Sequence, residues 1–230
     1  HSIRAAAIAK INGKIYRKDI NQVIPKIQPS FLSFNKIIAI GASTGGPQAI
    51  QEIITSLPPN SPACVIVLHM PAGFTKQFAD RLNGISAMEV CEAQDNTLIE
   101  DGKAYIAPGD KHLSIVKNNG NYFTKIKDGP LINYQKPSID VLFYSVASQA
   151  KENAVGVLLT GMGSDGAEGL LAMHKRGAYT IAQDEESSAI FGMPQEAIKL
   201  GAVNEIAHLK DIASSILKAA SKNSKVQKVC

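Results

Sequence analysis

Lys36-Ile37-Ile38-Ala39-Ile40-Gly41-Ala42-Ser43-Thr44-Gly45-Gly46-Pro47 is the stretch whose reading decides the fold. An apolar run climbs to a glycine, passes a serine and ends in two more glycines. Gln48-Ala49-Ile50-Gln51-Glu52-Ile53-Ile54 follows, with apolar residues at helical spacing. The pattern reads as strand, sharp turn and helix, with Pro47 in the first helical turn, where its missing N–H costs nothing. Gly41 to Gly45 fits G-x-S-x-G, the signature of a serine held on a strand-to-helix turn. The glycines leave room for the tight turn. The positive end of the helix favours negative charge beside the serine. Alone, the stretch is equally compatible with a glycine-rich turn that only binds phosphate or reverses the chain.

Further along, Ala63–Leu68 and Val155–Thr160 are continuous apolar runs, as expected of strands buried on both faces. Shorter strands are expected at Met88–Glu92, Lys103–Ala107 and Tyr179–Ala182. Helices are expected at Pro47–Ser56, Thr75–Leu82, from Ser138 as N-cap through Phe143, Ala167–Lys175, Glu196–Lys199 and Leu209–Ala220. His112–Lys117 and Tyr122–Ile126 flank Asn118-Asn119-Gly120-Asn121 and read as an antiparallel hairpin. Alternating strands and helices give an α/β class: a doubly wound, largely parallel sheet with helices on both faces and one hairpin.

The 230 residues are 45% hydrophobic, enough for one α/β domain with a substantial core. The net charge of +4 is modest, and much of the excess basic charge sits near the two ends. Aromatics make up 6% of the chain and Trp is absent, which argues against base stacking and nucleic-acid binding. Cys64, Cys91 and Cys230 are scattered, with no C-x-x-C or His cluster to hold a metal. No run is long and apolar enough to insert in a membrane and no signal peptide is visible, so a reducing cytoplasm is the expected location. The chain opens on His1 rather than Met, and a piece of a longer protein is the expectation. Residues 1–35 read as a short Ala-rich helix followed by a linker, 36–220 as the domain proper and 221–230 as a polar tail.

In an open parallel sheet, ligands bind beyond the carboxyl ends of the strands. Ser43, His69 and Asp165 each follow an apolar strand run, and their types form a nucleophile, a base and an orienting carboxylate. Their chain order differs from that of α/β-hydrolases. Rival bases are His112, His174 and His208; rival carboxylates are Asp95, Asp110 and Asp184. Asp165 could also serve only as a helix cap. Gly161-Met162-Gly163-Ser164-Asp165-Gly166 also matches the dinucleotide pattern G-x-G-x-x-G, with Asp184 at about the ribose-binding spacing. Against that, the motif comes late and carries an acid inside the phosphate turn.

Ile40–Pro47, His69-Met70-Pro71, Tyr105–Gly109, Leu159–Gly166 and Gly192-Met193-Pro194 together resemble the catalytic domain of the CheB chemotaxis methylesterases. The resemblance runs from about Lys36 to Leu217, with Ser164 where Asn is common in that family. It implies hydrolysis of γ-methyl esters of glutamate on methyl-accepting chemoreceptor helices, with glutamine deamidation as a further activity. It implies the triad Ser43, His69 and Asp165, with no metal or organic cofactor. Residues 1–35 would then be the last helix of a missing receiver domain and the interdomain linker. Backbone N–H groups near Met162 and around Thr44 and Gly45 are candidate oxyanion donors or site-lining groups; Thr44 would either hydrogen-bond in the site or cap the helix. Two other readings remain open here: a receptor-binding module without activity, and a dinucleotide-binding protein using the 161–166 turn.

Overall fold

The computed structural model describes residues 36–221. The expected N-terminal helix and linker, and the tail after Ser221, lie outside the described residues. Within them, seven strands form one parallel sheet in the order β3-β4-β2-β1-β7-β8-β9. These are β1 (Ile37–Ala42), β2 (Cys64–Leu68), β3 (Glu89–Glu92), β4 (Lys103–Ile106), β7 (Ala154–Leu158), β8 (Tyr179–Gln183) and β9 (Glu205–Ala207). A separate hairpin pairs β5 (His112–Asn118) with β6 (Asn121–Lys127). Its Asn119-Gly120 turn has φ of 46° and 86°, the left-handed pair that a two-residue hairpin turn requires.

Six helices cover the sheet: α1 (Gly46–Ser56), α2 (Phe74–Asn83), α3 (Ile139–Gln149), α4 (Ala167–Lys175), α5 (Met193–Lys199) and α6 (Leu209–Ser221). Successive side chains of a strand point to opposite faces, and β1 divides its isoleucines accordingly. Ile38 and Ile40 pack with Ile50, Phe78 and Ile216, the face of α1, α2 and α6. Ile37 and Ala39 pack with Phe143, Leu170 and Ala197, the face of α3, α4 and α5. A sheet covered on both sides explains why β1, β2 and β7 are apolar along their whole length, with every residue buried.

The doubly wound sheet with its hairpin is therefore as expected, with local differences. β7 ends at Leu158, so Leu159 and Thr160 lie beyond the strand. α5 begins at Met193, three residues before the expected start, because Pro194 sits in the first turn and needs no N–H partner there. β9 was not expected; at three residues, with Ile206 exposed at 54%, it carries no readable periodicity. Ser138 does occupy the N-cap position of α3 with extended backbone, but its hydroxyl makes no capping bond.

The topology fixes where a site can form. From β1 the chain first builds outward through β2, β3 and β4, then returns to β7 on the other side of β1. The switch point is the β1–β7 boundary, where the following loops diverge and leave a crevice. Ser43 follows β1, Asp165 lies in the turn after β7, and His69 follows β2.

Candidate active site

The three strand-end residues converge. Ser43 Oγ lies 3.2 Å from His69 Nδ1, and His69 Nε2 lies 2.8 Å from Asp165 Oδ2. The carboxylate can only accept, so Nε2 carries the proton and donates to Asp165. That leaves Nδ1 with its lone pair toward Ser43, whose hydroxyl donates to it. The serine contact is long for an O–H donor, as catalytic hydrogen bonds in free enzymes commonly are. The His69 and Asp165 side chains are 7% and 3% exposed, so their interaction is shielded from water.

Asp165 is the most heavily hydrogen-bonded member. Oδ2 also accepts from the Ile139 N–H at 2.7 Å. Oδ1 accepts from Ser138 Oγ at 2.8 Å, Asn133 Nδ2 at 3.0 Å and the Asp140 N–H at 3.3 Å. Burial pushes the Asp165 carboxyl up, but the donors, His69 first and then Asn133, outweigh it and hold it below the ordinary carboxylate range. The carboxylate thus caps α3, not α4, whose N-cap is Gly166. This is also where the Ser138 hydroxyl goes: it supports Asp165 instead of its own helix.

A family model described as CheB methylesterase matches residues 38–216, more than three quarters of the sequence. The chain belongs to the CheB methylesterase family. It is 50% identical over 215 residues to the protein-glutamate methylesterase/protein-glutamine glutaminase of Yersinia pestis, covering 94% of this chain and 61% of that protein. It is 54% identical over 186 residues to the Salmonella typhi protein of the same name, covering 81% of this chain and 53% of that one. The chain therefore spans between half and two thirds of the length of these curated relatives. Its fold is similar to the Thermotoga maritima CheB methylesterase catalytic domain, with a TM-score of 0.78 and 38% identity over 80% of this chain and 97% of that one.

The serine turn of this CheB methylesterase domain is built by close approach. Gly45, the N-cap of α1, has φ of 80°, a left-handed conformation in which a Cβ would also strike Ala189. Gly45, not Thr44, holds the N-cap position of α1, so a cap by Thr44 is not made; the Thr44 carbonyl instead accepts from Thr160 Oγ1 at 3.0 Å. The buried Thr160 hydroxyl also contacts the Ile190 carbonyl at 3.2 Å and accepts from the Ile190 N–H at 2.9 Å. The Ser43 N–H donates to the Thr160 carbonyl at 3.0 Å. Thr160 thus fastens the serine turn to the segment after β8. Among the described residues, the N–H groups of Thr44, Gly45 and Met162 have no hydrogen-bond partner, and the Met162 side chain is 72% exposed.

Apart from Asp110, the rivals are engaged elsewhere. His112 donates from Nε2 to the Pro130 carbonyl and accepts at Nδ1 from the Ser138 N–H. His174 lies beside Thr180 and Asn204, and His208 accepts from the Lys210 N–H. Asp95 accepts from Lys125 and the Ile126 N–H, and Asp184 from the N–H and hydroxyl of Ser187. Asp110 has a left-handed φ of 61°. The G-x-G-x-x-G turn presents an acid to His69 in place of a cradle for phosphate.

Sequence reading missed Asn133, Asp140, Thr160 and the Ser138–Asp165 bond. Thr160 offered a signal, a hydroxyl residue closing an apolar run. Asn133 and Asp140 offered none stronger than a polar loop leading into a helix.

Proposed function

We propose that this domain hydrolyses γ-methyl esters of glutamate side chains on the cytoplasmic helices of chemoreceptors, and the amide of glutamine by the same route. The carrying observation is the continuous relay from Ser43 Oγ through the two His69 nitrogens to Asp165. Both activities named for these relatives are acyl transfers to water, which is what such a relay serves.

Ser43 Oγ attacks the ester carbonyl carbon while its proton passes to His69 Nδ1. Asp165 holds the imidazole in the tautomer that leaves Nδ1 free, and it stabilises the imidazolium that forms. The tetrahedral oxyanion is met by N–H groups at the head of α1 and in the 161–166 turn; the unpartnered N–H groups of Thr44, Gly45 and Met162 support that assignment. Collapse breaks the carbon–oxygen bond, and methanol leaves with the proton from His69. Water then attacks the glutamyl-serine ester, giving its proton to His69, and Ser43 is regenerated with glutamate released. With glutamine the leaving group is ammonia.

Among the described residues no helix is long and apolar enough to cross a membrane. We place the reaction in the cytoplasm, where receptor helices are accessible. In a full-length protein a receiver domain joined through 1–35 would be the regulatory partner.

The experiment is methanol release from a receptor carrying isotope-labelled methyl esters, with receptor binding measured in parallel. Release by the wild type supports the reading. Binding without release, by wild type and Ser43→Ala alike, makes the domain a binding module.

A further inference from the structure

The segment between β6 and α3 reaches the triad carboxylate from the solvent side. Ile132 and Gln135 exchange backbone hydrogen bonds of 3.1 and 2.9 Å across a two-residue turn. The intervening Asn133 and Tyr134 have φ of 52° and 62°. Positive φ at both central positions is the type I′ turn, and Asn is among the few residues with a side chain that tolerate it well.

The turn sends its two central side chains to different fates. Tyr134 is 91% exposed. The Asn133 carboxamide reaches inward, and Nδ2 donates to Asp140 Oδ2 at 2.6 Å and to Asp165 Oδ1 at 3.0 Å. A carboxamide nitrogen has two hydrogens, so both bonds form together. The other donors to Asp165, apart from His69, are the N-cap Ser138 and the first two residues of α3. Asn133 is the one contributed by a separate loop.

The group on its other side is a second buried carboxylate. Asp140 is 4% exposed and accepts from the Gly169 N–H of α4 at 2.7 Å. Asn133 therefore places a neutral donor between two acids that would otherwise repel across a poorly solvated gap. The titratable groups around it are His69, Asp140 and Asp165, with His112 of β5 one residue removed, on the Ser138 N–H. Tyr144, one turn further along α3, has its hydroxyl pushed up, first by burial and then by the charge of Asp140 and of Glu168 on α4.

We propose that Asn133 is a positioning residue for the triad, bridging Asp140 and Asp165 so that the Asp165 carboxylate is held toward His69 and its charge is partly drawn away from it. The inference rests on the esterase reading, in which His69 is the base.

The test compares Asn133→Gly with Tyr134→Gly. Glycine adopts the left-handed φ at either position without strain, so both variants keep the turn. Only the first removes the donor to Asp165. With it gone, more of the carboxylate's charge bears on His69 and the imidazolium is favoured. In Asn133→Gly, kcat is expected to fall about tenfold, short of the 10²-fold that a 1 Å misplacement can cause, with KM within about twofold of wild type. The acid limb of its pH profile should move upward, while that of Tyr134→Gly stays at the wild-type position. A wild-type kcat and acid limb in Asn133→Gly would overturn the proposal. So would a fall in kcat with an unmoved limb, or an equal movement in Tyr134→Gly. NMR titration of the His69 ring, assigned with His69→Gln, gives the same comparison without turnover. If the wild type releases no methanol the esterase reading fails, and this titration still decides the role of Asn133: an upward shift confined to Asn133→Gly sustains it, and coincident curves end it.

Discussion

Gly161 and Ser43 are packed so closely that a methyl group on the Gly161 Cα would come within 2.7 Å of the serine Cβ, and within 2.3 Å of Met193 Sδ. The glycine cannot retreat. Its N–H donates to the Ile190 carbonyl, and its own carbonyl accepts from the N–H groups of Gly192 and Met193. One residue thus locks the turn after β7 against both Ser43 and the start of α5. Gly161→Ala is expected to displace Ser43 rather than unfold the domain. Overpacking of this kind costs about 1–3 kcal/mol, a loss of several degrees in Tm for a domain of this size. The loss in kcat/KM should be larger in proportion, about 10²-fold, because nucleophile placement is sensitive to ångström shifts. Thermal melting and methanol release on the same sample separate the two. A variant that melts far below wild type yet retains its rate would show that the contact serves only the core.

Asp165 and Asp184 differ in what they touch, and the difference predicts two unequal variants. Asp165→Asn replaces the acceptor facing His69 Nε2 with a group that can donate, which favours the tautomer with Nδ1 protonated. A loss of about 10⁴-fold in kcat is expected, as in the serine-protease case. The Asp184 carboxylate accepts only from Ser187 among the described residues, while its carbonyl accepts from the Ser188 hydroxyl and its N–H donates to the Ala207 carbonyl. Asp184→Asn should stay within about tenfold of wild type, the range of a local turn defect. Steady-state rates for both variants check this, and a crippled Asp184→Asn beside an active Asp165→Asn would reverse the choice of carboxylate.

The pH dependence follows from the direction of the Asp165 shift. Its carboxyl, raised by burial but lowered further by its donors, stays ionised below the ordinary carboxylate range. On the proposed mechanism Asp165 is therefore already ionised near neutral pH and adds no proton uptake to the acid limb of kcat/KM, which reports the general base alone. For stability the sign is equally definite. A folded-state pKa below the unfolded value of about 3.9 gives stabilisation that is fully present above that value. It is lost as pH falls through the folded value. Wild type and Asp165→Asn should differ most in unfolding free energy above about pH 4 and converge below it. Denaturant melts at pH 3 and pH 7 test the sign, which would be wrong if the gap widened in acid.

Much of this was legible in the sequence for a definite reason. Ser43, His69 and Asp165 each follow an apolar run, and strands buried on both faces carry strong, unbroken apolar signals. Once the runs are read as parallel strands, the sheet itself gathers the residues at their ends. The supporting contacts were not legible because they depend on how distant segments cross. Asn133 and Asp165 are 32 residues apart and meet only because the 130–137 loop folds back over the start of α3. Thr160 and Thr44 are separated by 116 residues and touch only across the β1–β7 boundary. Ser138 shows the limit of local signals. Its backbone has the cap conformation, but the stronger acceptor, a buried carboxylate, takes its hydroxyl. The Gly161–Gly166 motif misleads for a related reason. Glycines suit any tight strand-to-helix turn, and only the neighbouring side chains distinguish a phosphate cradle from a carboxylate mount.

The most direct test of the account is the rate of methanol release from a methylated receptor by Ser43→Ala relative to wild type, on protein whose melting temperature matches the wild type. A loss of about 10⁴-fold or more is expected, since removing the nucleophile from a relay of this kind disables the whole unit. Comparable rates would contradict it, and would take the role of nucleophile away from Ser43.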